Sequence, residues 1–275
     1  MKKNKKITVM IIVAILIILS GVYTYLISGV KLDEKDISWL TETPIAHRGL
    51  DNGDTPENSI KAFKEAINKS YAIELDVQFT KDKKLIVFHD DDLSRLTNDN
   101  RKVKDVNYEE LKDLKLENTN EAIPTLEEVV QLVNNKVPLI IEIKDGEDIE
   151  GLCKETYNIM KDYNGKYAIQ SFNPFVLQWF NNNAEEVVRG QLSGSFKKDA
   201  DNLKFYEKFI LRNLLLNFKS KPNFISYELD GVNNLSVKLL QIRNYPIISW
   251  TIENEEDMKK AYDKTDNIIF DNILP

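Results

Sequence analysis

Past an opening stretch that shows no periodicity, the hydrophobic residues of this chain fall into two alternating rhythms. The opening run, Ile7 to Val30, carries no charge and follows the basic end Met1-Lys2-Lys3-Asn4-Lys5-Lys6. Such a run is long enough to cross a bilayer as a helix, which takes roughly 20 apolar residues. From Pro44 onward, short apolar runs of strand length alternate with longer stretches of helical period. The strand-like runs lie near Pro44–His47, Ala72–Thr80, Leu139–Lys144, Tyr167–Ser171, Val187–Leu192, Phe224–Glu228, Ile247–Thr251 and Asn267–Phe270. Helical periodicity fills the gaps at Glu57–Asn68, after Thr125, and at Ile149–Tyr163, Pro174–Asn183, Leu203–Leu216, Leu235–Asn244 and Glu255–Tyr262. Thr55 with Pro56 reads as the first helix's start, and Thr125 with Glu128 as a capping box. Eight strands with intervening helices predict an α/β chain folded as a (β/α)8 barrel. An open doubly wound sheet is disfavoured, because no Gly-rich phosphate loop follows any strand.

The remaining segments divide the chain. Residues 1–30 read as a basic end and transmembrane anchor, 31–43 as a charged tether, and 44–275 as one large domain. Residues 90–124 hold only a short helix signal (Asn107 to Leu114) and read as an insertion over the barrel mouth. Leu192 to Phe205 is another long connection, with no evident role.

Composition narrows the class. A formal charge of −7 gives no sign of a nucleic-acid surface. The only cysteine, Cys153, shares a helical face with Leu152, Thr156 and Met160, so it reads as a buried thiol and permits no internal disulfide. The anchor ends without an Ala-x-Ala-like cleavage site, and four lysines precede it. An uncleaved, single-pass protein in the cell membrane is therefore expected, with its N-terminus cytoplasmic and the 44–275 domain outside.

The candidate chemistry sits at the strand ends. Glu74 and Asp76 alternate with Ile73, Leu75 and Val77, so both carboxylates leave the same face of a strand. Two acids on one face repel unless a cation or a shared proton holds them. Glu142 and Lys144 repeat the spacing on another apolar run. Glu74, Asp76 and Glu142, with no cysteine nearby, suit one hard divalent cation, Ca2+ or Mg2+, rather than zinc. Only Lys81 to Lys84 separate the Asp76 strand from Leu85–His89, so the two should form an antiparallel hairpin. With Thr80 opposite Leu85, that hairpin places His89 opposite Asp76.

In order and spacing, His47-Arg48-Gly49, Pro56-Glu57-Asn58, Glu74-x-Asp76, His89-Asp90 and Glu142-x-Lys144 resemble the glycerophosphodiester phosphodiesterase family, whose fold is a barrel of the phosphatidylinositol-phospholipase-C-like kind. The likeness runs from Pro44 to Pro275. Ser59 stands where the family often has Thr, and Lys81-Asp82-Lys83-Lys84 lacks its usual turn Gly. The resemblance implies metal-dependent hydrolysis of glycerophosphodiesters to sn-glycerol 3-phosphate and an alcohol. His47 and His89 would be the acid–base pair, and Arg48 and Lys144 would bind phosphate. Phe172 and Trp250 would flank the glycerol, and Glu57, at the start of a helix, would brace the site. The insertion would help shape the pocket for a small glycerophosphodiester or lipid-derived substrate. Two other readings remain: a phosphatidylinositol-type phospholipase C or lysophospholipase D activity, and a silent membrane-tethered binding module. The three carboxylates speak against a metal-free lyase.

Overall fold

A computed structural model describes residues 2–33, 37–51, 53–197 and 203–275, with the side chains of residues 2–4 left aside. The strands are β1 (Ile45–Ala46), β2 (Ala72–Phe79), β3 (Leu85–Val87), β4 (Leu139–Ile143), β5 (Tyr167–Ser171), β6 (Val188–Ser193), β7 (Phe224–Glu228), β8 (Ile247–Ile252) and β9 (Asn267–Phe270). All but β3 pair in parallel, in the order β1-β9-β8-β7-β6-β5-β4-β2, and β1 closes the ring on β2. This is the expected eight-stranded parallel barrel. β3 folds back antiparallel on the outer edge of β2.

The hairpin register differs from the expected one by a residue. Phe79 faces Leu85 and Val77 faces Val87, so Phe88 rather than His89 lies across from Asp76. The turn is shorter than the sequence suggested, because Thr80 N–H already donates to Lys84 O. Lys83 sits at φ 62°, taking the left-handed position that a three-residue hairpin loop demands. The missing glycine is thus replaced by a strained lysine. Thr80 Oγ1 accepts from Lys84 N–H and bonds Asp82 Oδ1, which steadies that turn.

The helices also depart from expectation where the backbone turns left-handed. The first barrel helix, Ile60–Asn68, begins three residues late and is capped by Ser59, whose Oγ accepts from Ala62 N–H at 3.1 Å. Thr55 is not its cap, and Glu57 lies before the helix, because Asn58 at φ 52° interrupts helical geometry. The predicted Leu203–Leu216 helix spans only Phe205–Arg212; Leu214 at φ 55° follows it, and a separate short helix, Asn217–Ser220, begins beyond the predicted end. Insertion residues 90–124 hold only a Tyr108–Leu111 helix and a short 3₁₀ turn. They close over a small core of their own, with Leu93, Leu96, Val103 and Leu111 packed against Ile86 and Phe88.

Within the expected tether, residues 37–43 are packed rather than free. Trp39 and Leu40, in a short helix Trp39–Glu42, are buried with Ile37 against Ile45, Ala72, Ile140 and Ile269 at the bottom of the strands. Asn267 Nδ2 donates to Leu40 O and Thr43 O, which fixes this floor to β9. Upstream, Lys2–Leu26 is a single helix whose Lys5–Leu26 part is long and apolar enough to cross a membrane and is not buried by the barrel. It ends at Leu26, four residues before the charge-free run does. Ile27 is fully buried beside Leu214, Val237 and Leu240.

Candidate active site

Parallel register decides which side chains meet at the barrel mouth. Asp76 on β2 pairs with Glu142 on β4, and Glu142 pairs with Gln170 on β5. Glu74 sits one inward step below Asp76. Oxygens of Glu74, Asp76 and Glu142 lie within 4.8 Å of one another, and all three residues are buried. Gln170 Nε2 donates to Glu74 Oε1 at 3.3 Å, while Gln170 Oε1 is buried without a partner.

Two cations serve these three acids. Lys144 Nζ lies 3.0 Å from Glu142 Oε1 and 3.5 Å from Asp76 Oδ1. Arg48 Nε lies 3.4 Å from Asp76 Oδ2, close enough for an ion pair though not aligned as a hydrogen bond. Arg48 N–H donates to Glu74 Oε2, and Asn58 Nδ2 donates to Asp76 Oδ2. Against the cost of burial, Lys144, His89 and Arg48 hold the Asp76 carboxyl well below the usual range. Burial opposes the Lys144 charge too, yet Glu142 and Asp76 raise its pKa. Burial, together with Asp76 and Glu142, pushes the Glu74 carboxyl well above its normal value. The cluster is thus one positive charge short, and the shortfall falls on Glu74. Three buried carboxylates in that state suit a hard divalent cation, so the donor set fits one.

Each histidine presents Nδ1 to a carboxylate. His89 Nδ1 is 2.6 Å from Asp90 Oδ1, and His47 Nδ1 is 3.5 Å from Asp271 Oδ2. His47 follows β1 directly, and its N–H donates to Phe270 O. β3 ends at Val87, so the chain leaves strand geometry before His89, and the ring still lies near enough to Asp76 for the two to interact electrostatically. Burial lowers the His89 pKa, with the Asp76 charge opposing. The Asp90 carboxyl, despite burial, is held down to about 2 by Arg95 and His89.

Sequence reasoning did not find Asp271, Asp51 or Arg95. Asp51 is pushed up to about 7 by burial and by Asp271, with which it shares a hydrogen bond. Arg95, in the insertion, bonds Asp90 through Nε and Glu57 through both terminal nitrogens. Glu57 also accepts from Arg48 Nη1 at 2.7 Å. A chain of ion pairs therefore runs from His89 through Asp90, Arg95 and Glu57 to Arg48. Arg95 follows the His89-Asp90 motif by only five residues, yet nothing in its own local sequence marks it. Asp271 did carry a signal, being an acid just past the last barrel strand.

The aromatic flank comes together across the barrel. Phe172, just past β5, and Trp250, on β8, meet edge to face with centroids 5.5 Å apart. Phe196, from the connection after β6, joins Phe172 at 6.3 Å. Beside Lys144 a cleft of about 950 Å3 opens between the β4 loop and the insertion, lined by Phe172, Asp145, Lys102 and Lys104 among others. Cys153 lies outside this region, buried, with its thiol pushed up to about 12.

Comparison with known proteins gives a consistent result. Residues 47–274 match the model of the "Glycerophosphoryl diester phosphodiesterase family". A glycerophosphodiester phosphodiesterase of Caldanaerobacter subterraneus subsp. tengcongensis is 34% identical over 243 residues, covering 83% of this chain and 93% of that one. Among solved structures, an Oleispira antarctica phosphodiesterase in complex with the product sn-glycerol-3-phosphate superposes with TM-score 0.70 at 23% identity, over 85% of this chain and 94% of its own. A Thermotoga maritima glycerophosphodiester phosphodiesterase superposes with TM-score 0.62 at 26% identity, over 83% and 94%.

Proposed function

The chain belongs to the glycerophosphoryl diester phosphodiesterase family and is a phosphoric diester hydrolase, and from that premise we propose how its mouth cleaves a glycerophosphodiester. The observation that carries the proposal is the charge-deficient trio Glu74, Asp76 and Glu142 beside Arg48, Lys144 and two carboxylate-oriented histidines. These three acids would hold one divalent cation, Ca2+ or Mg2+. When bound there, such an ion supplies positive charge against a non-bridging phosphate oxygen.

The chain's own groups do the rest. Lys144 and Arg48 face the phosphate as a point charge and a planar donor, offsetting the anionic oxygens that repel a nucleophile. Asp90 and Asp271 occupy the Nδ1 side of His89 and His47, leaving each Nε2 for proton transfer. One imidazole takes the proton of the attacking hydroxyl, from water or from the glycerol 2-position. The P–O bond to the head group breaks, and the other imidazole protonates the departing alkoxide. With water as nucleophile the products are sn-glycerol 3-phosphate and an alcohol. Phe172 and Trp250 present apolar edges suited to the glycerol carbons, and the Lys102–Lys104 side of the cleft leaves room for the head group. Few contacts there would discriminate one head group from another.

The apolar helix and its basic N-terminal flank support a single-pass anchor, with residues 44–275 outside the cytoplasmic membrane. Turnover of glycerophosphocholine by purified protein, with and without exhaustive chelation, tests the catalytic reading. Choline and sn-glycerol 3-phosphate are the expected products, and loss on chelation is the expected result. Phosphocholine as product would move the activity to a phospholipase-C type. Protease added to intact cells should strip the domain from the membrane fraction, and complete protection would reverse the topology.

A further inference from the structure

Strands of a barrel run toward its mouth and the following helices run back, so the ends of each helix are placed without ambiguity. Ser236 lies in the first turn of the helix Leu235–Ile242, at the mouth end, and Tyr23 OH is 2.7 Å from its Oγ. Asn217 Nδ2 donates to Ile27 O. At the opposite end, Val30 N–H donates to Pro222 O and Tyr245 OH donates to Gly29 O, just before β7 and β8 respectively. A side chain at Gly29 would collide with Pro222 O, at 1.9 Å from its Cβ, so the fit is close. The chain from Tyr23 to Val30 therefore descends the barrel wall from mouth to floor. The apolar helix upstream of Tyr23 continues on the mouth side.

A second observation lies at the same end. The helix Phe205–Arg212 has no buried residue, yet Phe205, Tyr206 and Phe209 are 87%, 54% and 55% exposed. It is tied to the mouth through Leu211 O, which accepts from Ser193 Oγ at the end of β6, and Arg212 O, which accepts from Tyr227 OH. Leu235, next to Ser236, is also exposed. Lys204 and Lys208 stand among the aromatic residues. Short helices gain little from propensity alone and need an apolar face covered. Aromatic rings with neighbouring lysines are the composition that settles at a bilayer interface.

We propose that the rim bearing Phe205, Tyr206 and Phe209 rests in the interface of the same bilayer that the N-terminal helix crosses, so that the mouth opens onto the membrane surface and takes glycerophosphodiesters presented there. This rests on the anchor and activity readings above. The occupant is lipid rather than a soluble protein because the rim is continuous, through Leu235, Ser236 and Tyr23, with the apolar helix itself.

The test uses the full chain reconstituted in phosphatidylcholine vesicles containing doxyl-labelled lipid. An environment-sensitive dye is placed at Phe205→Cys or, as the floor-end control, at Ile242→Cys, where the side chain is 78% exposed. Cys153 is buried and should stay unlabelled. Quenching at position 205 and none at 242 is the expected result. Equal quenching, the reverse order, or none at either site overturns the proposal, the last leaving a soluble partner to cover the rim. In parallel, Phe205→Ser with Phe209→Ser should keep turnover of soluble glycerophosphocholine and lose at least about tenfold on lysophosphatidylcholine held in vesicles. Equal retention on both substrates would overturn it. Absence of all turnover in the unaltered chain would count against the catalytic reading, while the quenching would still decide orientation.

Discussion

His89 Nδ1 lies 2.6 Å from Asp90 Oδ1, and Arg95 clamps that same carboxylate while gripping Glu57, the partner of Arg48. The arrangement fixes which imidazole nitrogen faces the site. Asp90→Asn keeps the size of the side chain but removes the charge that orients the ring. It should lower kcat by roughly 10–100-fold, a part of the roughly 10²–10⁴-fold that acid–base catalysis contributes. His89→Ala should forfeit that whole factor, as should His47→Ala. Steady-state kinetics of the three variants, with circular dichroism to show intact folding, checks the assignment; near-normal turnover in either His variant contradicts it.

Asp76→Asn should cost at least about two orders of magnitude in turnover, the scale of charge stabilisation at a reacting oxygen. It should also weaken calcium or magnesium binding measured by calorimetry in the absence of substrate. Calorimetry identical to that of the unaltered protein would remove Asp76 from the metal site.

Lys144 now neutralises Glu142 and Asp76 in a buried setting. Lys144→Ala leaves Glu142 without its cation and Asp76 with Arg48 alone, and breaking such a buried pair costs about 3–5 kcal/mol. The metal-free variant should melt well below the unaltered protein. Divalent cation should recover much of the difference, since a ligand bound only to the folded state raises its stability. A melting temperature indifferent to metal would count against three carboxylates sharing one ion.

Asp51 gives a pH dependence whose sign can be worked out. Its carboxyl is raised from an ordinary 3.8 to about 7, so the folded chain holds this proton more tightly than the unfolded chain does. That contribution is fully present below about pH 4 and is lost as pH rises through 7. Asp51→Asn cannot titrate. Its melting temperature, relative to the unaltered protein, should therefore rise between pH 4 and 7; a constant difference would mean that Asp51 and Asp271 do not share the proton.

Trp39 tests the floor. Truncation of a buried aromatic costs about 3–5 kcal/mol, so Trp39→Ala should lower the denaturant midpoint markedly. An unchanged midpoint would mean that the packing of residues 37–43 against the strands adds nothing to stability.

The barrel, its strand positions, the apolar N-terminal helix and the three carboxylates were all legible in the sequence, because period-two and period-3.6 patterns are local and each strand end carries its own chemistry. The pairing of Glu74 with Asp76 on one face needed only the alternation of a strand. What escaped was everything set by a left-handed residue or by distance along the chain. Lys83 shortened the hairpin turn and shifted its register, while Asn58 delayed the first helix and freed its own amide for Asp76. Neither residue type forces positive φ, so only the surrounding fold could select it. Asp271 reaches His47 from the far end of the chain, and Arg95 reaches Glu57 from inside the insertion. Trp39 and Leu40 looked like part of a charged linker until the open bottom of the barrel gave them an apolar surface to cover. Local pattern fixes which elements form; the pairing of the last strand with the first alone brings residues 224 positions apart together, because that proximity exists only once β9 has paired with β1, and the β1–β2 pairing then sets them beside the carboxylates.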